Sequence, residues 1–193
     1  MARKYEFKPD KPRQSLLSRL HLTQKQRKSL LKWVLYSLVL LVLSLIQDVL
    51  LCNISILGAT TELVPCGIFL ICLLEGSESG SVFLLISSAL YVFSGTGAGN
   101  YCIVFITVLG LLATMLRQEY LQKGFFVALL CTFGAMLLYE IAVFSIGLFF
   151  AQTLWRRFFV FIMTAILSMA AVPVLYPICC SIAKLGGGDA WKE

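Results

Sequence analysis

The chain has 193 residues, of which 59% are hydrophobic and only 13% are charged, and its mean hydropathy is +0.88. Soluble domains carry about 25% charged residues, so this composition excludes a soluble globular protein and predicts an integral membrane protein. After residue 32 no stretch is long enough for a soluble catalytic domain of about 50 residues, so we expect the protein to act within the membrane.

The net charge of +6 originates in residues 1–32, which we expect to form a basic cytoplasmic tail. Ten of the 16 lysines and arginines lie there, against only Glu6 and Asp10. Such segments are retained in the cytoplasm and commonly contact anionic lipid, so we expect no nucleic-acid partner. The tail is too long for a signal peptide and no A-x-A-like cleavage site follows the apolar run, which predicts a retained helix from Trp33.

Six apolar segments are predicted to cross the membrane and to form an all-α bundle over residues 33–185. The first has the roughly 20 residues that span about 30 Å of hydrocarbon. The second and third are short and are separated by "EGSESG", through which we expect no helix to continue. Pro173 and Pro177 should kink the sixth. The segments are Trp33 to Cys52, Thr61 to Leu74, Ser81 to Val92, Tyr101 to Leu116, Gly124 to Phe150 and Phe158 to Leu185.

The distribution of basic residues predicts that both termini are cytoplasmic. Besides the ten in the tail, two lie in residues 117–123 and two at the C-terminal end, whereas the expected outer loops contain only Arg156 and Arg157. Lys and Arg are enriched on the cytoplasmic side of membrane proteins. We therefore expect residues 53–60 and 94–100 outside, and residues 186–193 as a short cytoplasmic C-terminus of a multi-pass inner-membrane protein.

Polar side chains within the apolar segments are the candidate functional residues. Glu140 lies about ten residues, or roughly 15 Å, from the outer end of its helix, close to the bilayer midplane. An acid at this depth should face protein, with Gln47 or Asp48 as the nearest polar candidates. Its role is then a helix-packing hydrogen bond, or a contact with a ligand, proton or partner. Asp48 also reaches the outer headgroups, and Glu62 is assigned to the outer interface.

No arrangement of residues indicates catalysis, a cofactor or a metal site. The seven cysteines include no C-x-x-C pair, and His21 lies in the tail. Cysteines within apolar segments act as small hydrophobic residues. Cys52 and Cys102, both expected near the outer face, are the only candidates for a disulfide, and the sequence leaves their pairing open. We expect a protein that is not an enzyme.

The order of segments resembles the rod shape-determining protein MreD family over residues 35–185. That family shows a first helix ending in Gln, a short outer turn with Gly, a polar residue opening helix two, a Gly-bounded inner turn and a Ser-Gly loop before helix four. The matching positions are Gln47, Leu57 with Gly58, Glu62, Gly76 with Gly80, and Ser94 with Gly95. The chain departs from the family at Thr61, where Pro is frequent, and at Tyr91, where Asp is frequent.

The resemblance implies a non-enzymatic scaffold of the bacterial cell-elongation machinery for peptidoglycan synthesis. Its expected partners are an MreC-like single-span protein, a RodA-type glycosyltransferase and its transpeptidase. The predicted bundle is also similar to the substrate-binding components of energy-coupling-factor vitamin transporters, which supplies an alternative function. Those components dock through small residues, usually alanines, spaced by four on the first helix. The first predicted helix here contains no Ala.

Overall fold

A computed structural model describes residues 24–51, 58–95, 97, 99–120 and 124–185. This part of the chain is helical and contains no strand. Most of the predicted tail, Cys52 and residues 186–193 lie outside the described residues. The helices are α1 (Gln24–Ile46), which continues into a π-helical turn (Gln47–Leu51), α2 (Leu63–Glu75), α3 (Ser77–Phe93), α4 (Tyr101–Tyr120), α5 (Phe125–Phe149), a 3₁₀ turn (Trp155–Arg157), α6 (Phe158–Met169) and α7 (Val172–Leu185).

Helix α2 is the centre of the bundle. Every residue from Leu63 to Leu74 is buried, and α1, α3, α4, α5 and α7 all pack around it. A helix that is apolar on all sides suits the core of a bundle or a membrane span, and α2 occupies the core. Its 13 residues extend about 20 Å at 1.5 Å per residue. We refer to the two ends of the bundle as the Glu62 end and the Glu75 end.

Among the described residues, three helical segments are long and apolar enough to cross a membrane. They are Gln26–Val49, Tyr101–Gln118 and Phe125–Phe149, and the α6–α7 pair adds a fourth if it is counted as one bent span. Helices also form at the predicted second and third spans, but α2 and α3 have only 13 and 17 residues. The structure therefore supports three to four spans, and the predicted number of six is not confirmed.

The break between α2 and α3 is shorter than the sequence predicted. Only Gly76 interrupts the helices, with φ of 86°, a left-handed conformation that favours glycine. Its N–H donates to the carbonyl of Cys72 at 3.0 Å. Helix α3 then starts at Ser77 rather than Ser81, because an acidic side chain, Glu78, in the first turn complements the positive end of the helix dipole.

The last predicted span is broken into two helices at a 48° bend. The break lies at Ala170 and Ala171, just before Pro173, whose ring is incompatible with the turn that precedes it. Pro177 lies inside α7, so the two prolines do not mark two equivalent kinks. The bend at Ala170 lies level with the Glu62 end, because Ser168 contacts the backbone of Glu62.

Polar contacts fix the Glu75 end. Lys32 forms an ion pair with Glu75 at 2.5 Å, and the hydroxyl of Tyr36 donates to the other carboxylate oxygen at 2.7 Å. The buried Arg117 donates from its guanidinium to the carbonyl of Leu73, in the last turn of α2. Helix α1 begins at Gln24, so the end of the predicted tail, including Lys32, is helical and belongs to the bundle.

Candidate functional site

A chain of hydrogen bonds joins α1, α2 and α3 at the Glu62 end. The backbone N–H of Val64 donates to the Gln47 side-chain oxygen at 3.0 Å. The Gln47 side chain is also hydrogen-bonded to Tyr91, which its amide NH₂ reaches as the donor. Tyr91 in turn donates to the carboxyl group of Glu62. Gln47 opens the π-helical turn, a local irregularity that is frequent at functional sites.

Glu62 is held in this cluster by its backbone. Its N–H donates to the Ser168 hydroxyl at 2.8 Å, and that hydroxyl donates to the carbonyl of Thr164 at 2.8 Å. The bend between α6 and α7 thus lies directly against the start of α2. One carboxyl oxygen of Glu62, Oε2, is buried and has no hydrogen-bond partner among the described residues.

Glu140 reaches the same cluster from the middle of α5. Its side chain is only 2% exposed, and its Oε1 atom has no hydrogen-bond partner in the described part of the chain. The carboxyl group of Glu62 is close enough to act on it electrostatically. The neighbouring Tyr139 is hydrogen-bonded to Cys102 of α4. Two acids with unpaired buried oxygens therefore share one apolar environment, which is energetically costly unless something compensates their charge.

The structure brings three of the four predicted polar residues together. The half-buried Gln47 and Glu62 and the buried Glu140 contribute to one polar cluster, whereas Asp48 is exposed and accepts a hydrogen bond from Ser44 at 3.3 Å. The polar neighbour of Glu140 is thus Glu62, the residue that the sequence assigned to the outer interface. Tyr91 and Ser168 were not predicted as site residues, although Tyr91 stands where the resemblance places an Asp.

A second candidate site is a lateral groove between α1 and α3, with a volume of about 830 Å³. Its walls are apolar side chains such as Leu41 and Leu45 on α1 and Val82 and Ile86 on α3, all more than half exposed. Val64 of α2 forms part of its floor. In a bilayer such a groove faces the lipid laterally, so an apolar chain or helix is the kind of molecule that it fits.

Serines line both walls of the groove at intervals of seven residues. Ser37 and Ser44 lie on α1, Ser87 lies on α3, and Ser94 lies directly after the last residue of α3. The Ser37 hydroxyl donates to the carbonyl of Trp33 at 3.0 Å, and the Ser87 hydroxyl to that of Phe83 at 2.7 Å. Since these donors are bonded within their own helices, the serines act as small side chains that leave space for an approaching backbone.

Tyr91 connects the two candidate sites. Its side chain lines the groove and belongs to the hydrogen-bond chain from Val64 to Glu62. A molecule bound in the groove would therefore contact a residue that is coupled to the buried acids.

In the described ranges, no group of three or more His, Cys, Asp or Glu side chains is placed to hold a metal ion. Cys102 is buried, and its predicted candidate partner, Cys52, lies outside the described residues. The chain matches no protein-family model, no curated protein and no solved structure.

Proposed function

We propose that the protein is a non-enzymatic membrane scaffold of the bacterial cell-elongation machinery, and that it binds the spanning helix of an MreC-like partner. The observation that carries this proposal is the lateral groove between α1 and α3, with its volume of about 830 Å³ and its apolar walls. Binding through this groove leaves the rest of the bundle available to the RodA-type glycosyltransferase and its transpeptidase.

The serine spacing supports a helix as the occupant. Small residues allow helix backbones to approach closely in lipid, where van der Waals packing replaces the hydrophobic effect as the main attraction. Ser37 with Ser44, and Ser87 with Ser94, repeat at the seven-residue interval that keeps one face against a helix crossing at about +20°. A single-span partner would supply such a helix.

The charge distribution supports an orientation for the proposed scaffold. Lys32 and Arg117 both lie at the Glu75 end, and the basic tail precedes α1 at that same end. Under the positive-inside bias, the Glu75 end and both termini face the cytoplasm of a bacterial inner membrane. The Glu62 end then faces outward, and α2 and α3 cross the remaining thickness as short helices.

Co-purification tests the scaffold proposal. We expect the tagged chain to retain a co-expressed MreC-like protein in detergent, and Ser37→Phe to abolish retention because the ring on this exposed wall residue fills the groove. Ser145→Phe is a matched control, since Ser145 is an exposed serine on α5 outside the groove. Equal retention by both variants would exclude the groove as the docking site. Failure of the unaltered chain to retain the partner would overturn the scaffold function.

The buried polar cluster favours a second candidate function, a substrate-binding subunit of an energy-coupling-factor-type vitamin transporter. Ligand sites place a few polar groups within an apolar enclosure, and Gln47, Glu62 and Tyr91 converge in this way. Thermal-shift measurements with water-soluble vitamins distinguish the two functions. Stabilisation that saturates with one vitamin and is lost in Gln47→Leu would establish the transporter subunit instead.

The proposed absence of enzymatic activity has its own test. The purified protein should leave a lipid-linked cell-wall precursor unchanged when no synthase is added. Turnover that persists after rigorous purification would contradict a purely structural role.

A further inference from the structure

We propose that Glu62 and Glu140 together hold one small monovalent cation, a proton or an alkali ion, between their unpartnered carboxyl oxygens. This site goes beyond the proposed function, since it would exist in a scaffold and in a transport subunit alike. It rests on the arrangement of the buried cluster at the Glu62 end and not on the lateral groove.

The first argument is charge balance. The Glu140 side chain is 98% buried, and Glu62 Oε2 and Glu140 Oε1 both lack a hydrogen-bond partner in the described residues. Within the part of the chain that the structure describes, no Lys or Arg acts electrostatically on either carboxyl. Although Glu62 as a residue is only half-buried, its Oε2 atom is buried, so two bare carboxylates here would both lose hydration and would repel one another. One cation bound between the two carboxyl groups reduces their combined charge from −2 to −1 and lies against both of them.

The second argument is the local chain geometry. The cluster lies at the bend of the α6–α7 pair, where Ser168 accepts the N–H of Glu62. It also lies at the π-helical turn that begins with Gln47. Ion-binding positions in membrane proteins are typically formed where spanning helices are interrupted, because the irregular backbone is stable only against buried polar partners. Two interruptions meeting at one acid pair fit that pattern.

The surrounding groups favour a proton as the bound cation. Each helix packed around the pair contributes neutral groups, and the titratable ones among them are weak acids that supply no positive charge. Tyr91 of α3 and Tyr139 of α5 lie within electrostatic reach of Glu62, and Cys102 of α4 is hydrogen-bonded to Tyr139. Cys66 of α2 contacts the carbonyl of Ser168 on α6 rather than the pair itself, and Asp48 of the π-helical turn is exposed and bonded to Ser44. Tyr91 donates to Glu62, and the shared proton would occupy the two oxygens that no other donor reaches.

Infrared spectroscopy of the full-length protein in lipid nanodiscs tests this site. Labelling with carboxyl-¹³C glutamate separates the carbonyl band of protonated Glu from that of Asp. We expect a protonated Glu band at pH 7 that exchanges in D₂O, is lost in Glu140→Gln and shifts in frequency in Glu62→Gln, which leaves Glu140 without the neighbour that shares the proton. Glu78→Gln is the control, because Glu78 is an exposed acid at the opposite end of the bundle. The band should be unaffected in this variant.

A parallel measurement identifies an alkali ion. The unfolding temperature is compared in sodium, potassium, lithium and choline chloride at constant ionic strength. If an alkali ion occupies the pair, the protonated Glu band is absent and one of these ions raises the unfolding temperature of the unaltered protein. Absence of the band together with equal unfolding temperatures in all four salts would overturn the proposal, and this outcome needs no variant to fold. Both the infrared band and the unfolding temperature are measured without a partner, so failure of the co-purification test would leave this proposal intact.

Discussion

Tyr91→Phe is the most informative single substitution, because it removes one hydroxyl and leaves the aromatic ring in place. That hydroxyl is bonded to both Gln47 and Glu62, so the variant deprives two half-buried polar groups of a partner. Hydrogen bonds between membrane helices contribute about 0.6 kcal/mol on average and about 1.7 kcal/mol at most. Two lost bonds therefore predict a destabilisation of about 1.2 kcal/mol, with an upper value of about 3.4 kcal/mol.

The assay is reversible unfolding of the purified protein in mixed micelles. Ser145→Ala is the control, because the Ser145 hydroxyl bonds only the Ile141 carbonyl on its own exposed helix face. A double-mutant cycle combining Tyr91→Phe with Gln47→Leu should give a coupling of about 0.6 kcal/mol. If Tyr91→Phe is as stable as Ser145→Ala, or the cycle is additive, the proposed hydrogen-bond chain is refuted.

Three further predictions concern other parts of the bundle. Glu140→Gln should change unfolding only slightly, because the amide has nearly the same shape and retains polar atoms next to Glu62. Glu140→Leu should weaken bundle stability or partner retention, because it removes the polar group from the cluster. Unchanged stability and retention in the Leu variant would show that the acid has no packing role. Gly110→Ile should destabilise the α3–α4 contact by about 1–3 kcal/mol, because a Cβ added at Gly110 would lie 2.6 Å from Leu84. Gly134→Ala should be neutral, because no atom lies within 4 Å of a Cβ added there. Similar unfolding curves for the two variants would contradict this packing. Lys32→Ala should lower the free energy of unfolding by about 2 kcal/mol, because it removes the cation paired with Glu75. The same unfolding assay measures this change, and an unchanged curve would show that the ion pair is not formed.

The long helices were predictable because apolar length is sufficient to define them. Trp33, Tyr101 and Phe125 each lie at or near the start of a predicted span that the structure contains as a helix. The central position of α2 was not predictable, because a helix apolar on every side has no periodicity to indicate which neighbours surround it. For the same reason, the sequence predicts a short span at α2 but does not indicate that this span forms the core of the bundle.

The site was predictable only in part. The burial of Glu140 followed from its distance to any polar segment, and the structure places it inside the bundle. Its pairing with Glu62 depends on how α5 packs against the start of α2, which no local pattern encodes. The contribution of Ser168 depends on the 48° bend between α6 and α7. The sequence predicts a kink at each of the two prolines, so it does not locate this single bend.

Site-specific photocrosslinking tests the scaffold account most directly. A photoreactive residue is placed at Leu41 or at Ile86, on opposite walls of the groove, and at Leu130, an exposed α5 position outside it. With the MreC-like partner co-expressed, the account predicts covalent adducts with the partner's spanning helix at Leu41 and Ile86 and none at Leu130. Adducts with lipid alone at both groove positions, or partner adducts at Leu130 only, would contradict it.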